Sequence, residues 1–166
     1  MTTPGLEDPR EEPGHLPTDD VLVRTLTEGD LEPVVRVDSA SMGRPRREYY
    51  AAKLRTALTE GKLQTSLVAE LDDHVVGFVL AKVYYGEFGQ AEPVAVVDSM
   101  GVDPAYRKRH VGQALLRQLL LNLGALGVER VQTEVDWQQL DLMSFLAAQG
   151  FVPAPRLCLE RRLGSP

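Results

Sequence analysis

The sequence predicts a single α/β domain, of the α+β kind, with its elements in the order β-α-α-β-β-β-α-β-α-β. Three observations lead to this prediction. The chain has 166 residues, and one domain usually takes ~100 to 200. Alternating or continuous apolar runs indicate strands, and apolar residues repeating about every fourth position indicate helices. Turn residues and glycines separate these segments.

The first half of the chain predicts a strand, two helices and a hairpin. Tyr50, Leu54 and Leu58 recur at helical spacing, and the polar turn at 72–74 separates two apolar runs. The predicted elements are a strand at 21–26, a helix over roughly 30–39, a helix over 46–58, and paired strands at 66–71 and 75–84.

The second half begins with a continuous apolar run at 94–97, which is typical of a central strand buried on both faces. A long amphipathic helix follows, and Gly124 or Gly127 ends it. The predicted elements are a strand over 94–102, a helix from 111 with the apolar stripe Val111, Leu115, Leu119 and Leu123, a strand over 131–136, a helix over 140–149 closed by Gly150, and a last strand over 157–163.

Charge is unevenly distributed along the chain. The net charge is −6, and residues 1–20 hold six acidic residues against Arg10, so the other 146 residues carry only −1. Four prolines also lie in this first stretch, which predicts a disordered acidic tail over 1–20 and one domain over 21–166.

Composition excludes several classes of protein. No apolar run approaches the ~18 residues of a membrane span, and no signal peptide is visible, so we expect a cytoplasmic protein without a membrane partner. The near-neutral body argues against nucleic acid as a partner. Three scattered histidines offer no metal-ligand spacing. Cys158, between two leucines, is expected to be a small core residue.

Residues 103–116 have the composition of an anion-binding helix start. A pyrophosphate needs several backbone N–H groups directed at one place, and the first turn of a helix supplies them with the positive end of its dipole. Gly112 and Ala114 are small enough to let phosphates approach, while Arg107, Lys108 and Arg109 add positive charge.

The spacing Arg109-x-x-Gly112-x-Ala114 resembles the R/Q-x-x-G-x-G/A signature of the GNAT superfamily of acyl-CoA-dependent N-acetyltransferases, and residues 94–151 follow its central motif. The resemblance implies a GNAT fold, with a mixed, mostly antiparallel twisted sheet of about six to seven strands flanked by about four helices. It also implies acetyl-CoA as co-substrate, bound where the strands at 94–102 and 131–136 splay apart, and no metal.

The resemblance assigns two groups of residues to acetyl-CoA. Pantetheine is expected to pair with the strand edge at Met100, Gly101 and Val102. The pyrophosphate is expected at the cradle, by which we mean Arg107, Lys108, Arg109, His110, Val111, Gly112, Gln113 and Ala114.

Acetyl transfer to an amine needs a base, because a lysine amine has a pKa of ~10.4 and must lose a proton to attack. Residues 134–151 can be laid without a gap on the ribosomal-protein alanine acetyltransferases, a GNAT branch, which places Glu134 at their catalytic glutamate. Asp98 is the competing base, since an isolated carboxylate in an apolar strand is costly to bury unpaired.

The same alignment shows two departures. The tyrosine with which many GNAT enzymes protonate the departing thiolate is Leu146 here, and their usual asparagine is Gln139. Ser144, Tyr84 and Tyr85 are the alternative proton donors. These departures leave open a second hypothesis, a non-catalytic acyl-CoA sensor or interaction module on the same scaffold.

The resemblance implies that a primary amine, of a small molecule or of a protein N-terminus or lysine, attacks the thioester directly in a ternary complex. It places the acceptor between the first two helices and the loop after the third strand, and a homodimer is left open. The residues of this expected acceptor mouth are Arg44, Arg46, Arg47 and Tyr49, together with the stretch from Tyr84 and Tyr85 to Phe88.

Overall fold

The computed structural model describes residues 21–60, 65–86, 89 and 91–164. The predicted acidic tail over 1–20 lies outside this range. The chain divides into two compact units, 1–133 and 134–166, which are described separately. None of the helices within the described ranges is long and apolar enough to cross a membrane.

The first unit is built on a five-stranded sheet in the order β1-β2-β3-β4-β5. Its strands are β1 (Leu22–Thr25), β2 (Ser66–Leu71), β3 (His74–Tyr84), β4 (Val94–Val102) and β5 (Arg130–Gln132). Neighbours are antiparallel except β4 and β5, which run parallel. The prediction of a mixed, mostly antiparallel sheet is confirmed, although the described residues form five strands rather than six or seven.

Three helices of the first unit match the predicted segments: α1 (Leu31–Met42), α2 (Arg47–Glu60) and α3 (Val111–Ala125). The predicted stripe of α3 is confirmed, because Val111, Leu115, Leu119 and Leu123 are all buried. Gly127, at a φ of 74°, ends this helix. The N–H of Val128 donates to the carbonyl of Leu123 at 3.0 Å, which satisfies an end carbonyl.

In the second unit, the predicted helix is confirmed as α4 (Leu140–Ala148), but the predicted last strand is wrong. Residues 157–163 are irregular, and Leu157 and Leu159 are each 89% exposed. Cys158 is also exposed, so its predicted place in the core is wrong. An alternating pattern becomes a strand only where a neighbouring strand accepts its backbone hydrogen bonds, and the described residues supply no such neighbour.

The strand predicted over 131–136 is shorter than expected: its pairing with β4 ends at Gln132, and its predicted last residue, Asp136, instead begins a local turn. β5 stops at Gln132, and the carboxylate of Asp136 accepts the backbone N–H of Gln138 at 2.9 Å. An aspartate side chain that bonds two residues ahead favours a turn over a ladder.

Close packing of α3 on the sheet depends on Gly77 of β3. A Cβ at this position would lie 2.8 Å from Cγ1 of Val111 and 3.1 Å from Cδ1 of Leu115, so only glycine lets the start of α3 approach the strand this closely. Gly101 of β4 lies opposite Phe78 in the ladder, and a Cβ there would lie 2.7 Å from the Phe78 ring, which packs in the core with Tyr50 on the face of the sheet opposite to α3. Gly77 therefore lets α3 lie directly against β3, beside the end of β4.

On the other side of the core, a polar cluster joins α2 to α1. The guanidinium of Arg46, just before α2, donates to both carboxylate oxygens of Asp38 at 2.9 and 2.5 Å. The hydroxyl of Tyr50 donates to the same carboxylate at 2.9 Å, and its ring packs edge-on against Phe78. Arg46 therefore has a structural role, and its expected place at the acceptor mouth stays a prediction.

Burial and the Arg46 cluster act in opposite directions on the pKa of Asp38. Burial disfavours the carboxylate, but the hydrogen bonds and charge of Arg46, with the hydroxyl of Tyr50, outweigh it and lower the pKa of Asp38. Burial and the bond to Asp38 both raise the pKa of Tyr50, which stays a neutral donor. The cluster is therefore ionised at neutral pH and becomes weaker in acid.

We expect Gly77→Ala to destabilise the fold by about 1 to 3 kcal/mol, because the added methyl overpacks the stiff Val111 side chain. Thermal or urea unfolding of the variant and the wild type measures this loss of stability. Gly124→Ala is the matched control, since a Cβ there meets nothing within 4 Å and alanine favours a helix by up to ~1 kcal/mol. Equal stability of both variants would contradict the close approach.

We expect Asp38→Asn to lower the free energy of unfolding by about 2 to 3 kcal/mol. This is less than the ~3 to 5 kcal/mol of a fully buried pair, because Arg46 is 30% exposed. The contribution of a carboxylate with a lowered pKa is present above its unfolded value of ~3.9 and disappears as the pH falls through the folded value. Urea titrations should therefore show the two proteins converging below about pH 4.

The exposed pair Arg47 and Glu32, joined at 2.7 Å, supplies the control for this experiment. Glu32→Gln should change stability by less than ~1 kcal/mol, because such surface pairs contribute little. A loss in Glu32→Gln as large as that in Asp38→Asn would contradict the structural role of the Asp38 cluster.

Candidate functional site

The chain enters α3 through a tight loop. A 3₁₀ turn over Pro104–Tyr106 follows β4, and the carboxylate of Asp103 caps it by accepting the N–H of Ala105 at 2.9 Å. Lys108 and His110 have φ values of 64° and 59°, a left-handed conformation that is uncommon outside glycine. Strained backbone of this kind often occurs at binding sites.

The first turn of α3 leaves backbone donors open. The first helical bond here runs from the N–H of Ala114 to the carbonyl of His110 at 2.9 Å. The N–H groups of Val111, Gly112 and Gln113 precede any such acceptor, and the His110 side chain does not cap them; it lies 3.1 Å from the Gln113 amide oxygen instead. Three donors and the positive end of a 15-residue helix therefore face outward together.

Positive charge surrounds these donors. Arg107, Lys108, Arg109 and His110 are all exposed. The guanidinium of Arg109 lies 5.7 Å from the centroid of the Tyr106 ring, close enough for a cation–π contact that limits its motion. The loop and helix start have the chemistry of a phosphate site. Within the part of the chain that the structure describes, no cluster of side chains could hold a metal ion.

β4 separates from β5 beside this helix start. Their pairing covers only Val94 to Val96 against Arg130 to Gln132. On its other side β4 stays paired with β3 as far as Val102, which lies opposite Gly77. Residues Met100, Gly101 and Val102 therefore present backbone groups on an edge that β5 does not cover, next to the loop leading into α3.

Asp98 lies at a bulge in β4. Leu80 pairs with Ser99 and the next residue, Ala81, pairs with Val97, so Asp98 has no partner across the ladder. A bulge redirects the side chain of the extra residue, and that of Asp98 is 43% exposed. The expectation of a buried, isolated carboxylate is wrong for this reason.

Lys53 of α2 is the partner of Asp98, and sequence reasoning did not find it. Its Nζ lies 2.8 Å from Oδ2 of Asp98 and 5.1 Å from the centroid of the Tyr49 ring. Burial opposes the charge of Lys53, but the bond and charge of Asp98, with Tyr49, raise its pKa. The one available signal was its place on α2, four residues after Tyr49 and so on the same face.

The residues expected at the acceptor mouth have different surroundings. Arg44 and Tyr49 are exposed near the start of α2, and Arg47 is exposed but paired with Glu32. Tyr85 is exposed beyond the end of β3, and the Tyr84 ring lies 5.5 Å from Nζ of Lys82. Phe88 is outside the described residues.

In the second unit, Glu134 is exposed in the irregular segment before α4. Gln139 is the residue preceding α4, and Leu146 is a buried residue of that helix. The carbonyl of Leu146 accepts the N–H of Phe151 at 3.0 Å. Leu146 offers no side-chain proton donor, as the sequence indicated.

Solved structures with the same fold include enzymes of two kinds. The aminoglycoside N-acetyltransferase AAC(6')-Iy in complex with CoA has 19% identity and a TM-score of 0.73, over 86% of this chain and 94% of that one. Ribosomal-protein-alanine N-acetyltransferase from Brucella melitensis biovar Abortus 2308 has 19% identity and a TM-score of 0.68, over 87% and 99%.

A third similar structure, a transcriptional regulator from Bacillus halodurans C-125, has 23% identity and a TM-score of 0.69, over 86% of this chain and 99% of that one. At these identities the likeness shows the fold alone. No curated protein matches the sequence.

The family comparison is more direct. Residues 32–151 match the family described as acetyltransferase (GNAT). This range contains all but the first residue of α1, the whole of α2 to α4, the β4 edge and the helix start with its open donors. The resemblance seen in the sequence is confirmed, and the chain belongs to the acetyltransferase (GNAT) family.

Proposed function

We propose that this protein is an N-acetyltransferase that carries an acetyl group from acetyl-CoA to a primary amine by direct attack in a ternary complex. The proposal rests on one observation. The uncapped start of α3, surrounded by positive charge, lies next to the edge of β4 that β5 does not cover. A long donor molecule with a pyrophosphate and an amide-containing arm fits both features.

The donor would bind along these two features. Its pyrophosphate would accept hydrogen bonds from the open N–H groups of the cradle. Gly112 has no side chain there that would keep the phosphates at a distance. Its pantetheine amides would pair with β4 at Met100 to Val102, as an added strand pairs with a sheet edge. The thioester would then lie near the β4 bulge, where a backbone N–H could stabilise the oxyanion.

The acceptor amine must lose a proton, and two carboxylates are candidates to receive it. Asp98 lies at the β4 bulge, and its contact with Lys53 is made through Oδ2. Glu134 follows β5 and is exposed. We propose both as catalytic residues, with the proton passing to one of them directly or through water.

Loss of the usual tyrosine at Leu146 is compatible with this chemistry. A thiol with a pKa near ~8.5 can leave as its anion, so general acid help is useful without being essential. The acceptor would enter past Arg44, Arg47 and Tyr49, with Tyr84 and Tyr85 on the opposite side. Aminoglycosides and a ribosomal-protein alanine, which name the acceptors of two similar structures, both present amines.

We expect Gly112→Glu to weaken donor binding without harming the fold. Glutamate favours a helix more than glycine does, and an acidic side chain in the first turn complements the dipole. The same carboxylate would occupy and repel the pyrophosphate site. Calorimetry with acetyl-CoA should show a loss of affinity of at least about tenfold, since charge-assisted hydrogen bonds contribute ~1.5 to 3 kcal/mol.

Gly112→Ala is the matched control for this variant, because it gains the same helix propensity without the charge. Its affinity for acetyl-CoA should exceed that of Gly112→Glu, and both should unfold at or above the wild-type temperature. Unchanged acetyl-CoA affinity in Gly112→Glu would show that the cradle is not part of the donor site.

We expect the base to be identified by Asp98→Asn and Glu134→Gln. Thiol release from acetyl-CoA, measured across a panel of amines and peptides, should fall by about 10² or more in the variant that lacks the base. Acetyl-CoA affinity should be retained in both. Full rates in both variants at saturating donor would show that neither is the base, and tight donor binding with no wild-type turnover would favour an acyl-CoA-binding module instead.

A further inference from the structure

One face of α2 and the residue before it carry a row of charged and aromatic side chains. Arg46, Tyr49 and Lys53 are spaced three and four positions apart, which places them on the same side of a helix. The guanidinium of Arg46 lies 5.0 Å from the Tyr49 ring centroid and Nζ of Lys53 lies 5.1 Å from it. Tyr49 therefore separates two cations with different partners.

The first cation serves the fold and the second faces the β4 bulge. Arg46 binds the buried Asp38 of α1, an arrangement that anchors the start of α2. Lys53 lies two turns further along and reaches Asp98 at 2.8 Å. Because α2 is fixed at Arg46 and Tyr50, the stem of Lys53 starts from a defined place.

Lys53 is held more tightly than a surface lysine. Its side chain is only 23% exposed, and the Tyr49 ring contacts it on the way to Asp98. Its raised pKa keeps it charged at neutral pH. Immobilising a long side chain costs rotamer entropy. A half-exposed ion pair stabilises the fold too little to offset much of that cost.

Asp98, in contrast, has little else to orient it. The bulge removes it from the β3 ladder, and its side chain is 43% exposed. Lys53 contacts Oδ2 at 2.8 Å, which leaves Oδ1 as the carboxylate oxygen that can face another group. The direction in which Oδ1 points is therefore set by Lys53.

We propose that Lys53 is a positioning residue for acetyl transfer, which holds the Asp98 carboxylate so that Oδ1 faces the acceptor amine. This rests on the proposed function and on the role of Asp98 within it. Lys53 makes no contact with the donor in this scheme, so it acts on the acceptor step and leaves acetyl-CoA binding to the cradle.

The test is a double-mutant cycle with Lys53→Met and Asp98→Asn, assayed with acetyl-CoA and the best amine of the panel. Lys53→Met should lower kcat/KM for the acceptor about tenfold, which corresponds to a coupling of ~1.4 kcal/mol. The KM for acetyl-CoA should stay unchanged. In the Asp98→Asn background, Lys53→Met should cause no further loss.

Two further variants separate positioning from charge and from folding. Lys53→Arg keeps the charge on a longer, planar group and should recover most of the lost rate. Arg55→Met removes one exposed positive charge from the same helix and should behave like the wild type. Thermal unfolding of Lys53→Met should stay within about 3 °C of the wild type.

Each outcome has a defined meaning. A wild-type rate in Lys53→Met, an equal loss in the Asp98→Asn background, or a wild-type rate in Asp98→Asn itself would overturn the inference while leaving N-acetyl transfer intact. No turnover by the wild type with any amine would overturn the proposed function and the inference with it. If Lys53→Met did not fold, the same cycle with Lys53→Gln would decide.

Discussion

The close approach of α3 to β3 at Gly77 is the constraint on which the rest of the site depends. With no side chain at Gly77, Val111 and Leu115 pack directly on the strand, and the buried stripe of α3 continues from there to Leu123. The first turn of the helix is thereby held next to the end of β4, where its open N–H groups and dipole can act together. A helix start at the same sequence position but farther from the sheet would have the donors without the neighbouring strand edge.

Two ion pairs on α2 show how similar chemistry can serve different purposes. The Arg46 and Asp38 pair is shielded, has two guanidinium bonds and includes the hydroxyl of Tyr50. Its removal leaves a charge unpaired near the core, which makes it important to folding. In the Lys53 and Asp98 pair the carboxylate is more exposed, and the contact joins Nζ to Oδ2. This pair matters because it orients the Asp98 carboxylate at the β4 bulge. The Arg46 and Asp38 pair supports that orientation, because it anchors the start of α2.

Sequence patterns predicted most elements of the first unit because each was supported by two kinds of signal at once. For α3, the apolar period, the small residues at its start and Gly127 at its end all agree, and β3 and β4 have apolar runs between turn residues. The failures lie where one signal stood alone. Residues 157–163 alternate like a strand, and Cys158 lies between leucines, yet the described chain provides no ladder to receive them. β5 ends at Gln132, and Asp136, predicted as the last residue of that strand, instead caps a local turn with its side chain, which periodicity does not reveal.

By itself, the sequence determined the helix and strand order of the first unit, the α3 cradle with its small and basic residues, and membership in the acetyltransferase (GNAT) family. These depend on neighbours along the chain, where spacing translates directly into a helix face or a strand edge. Only the tertiary structure decided that Asp98 is an exposed bulge residue, that Lys53 is its partner and that Arg46 belongs to Asp38. Lys53 and Asp98 are joined across two elements, and a register shift of one residue in β4 turns the carboxylate outward. Contacts of this kind depend on packing between distant segments, which no local pattern encodes.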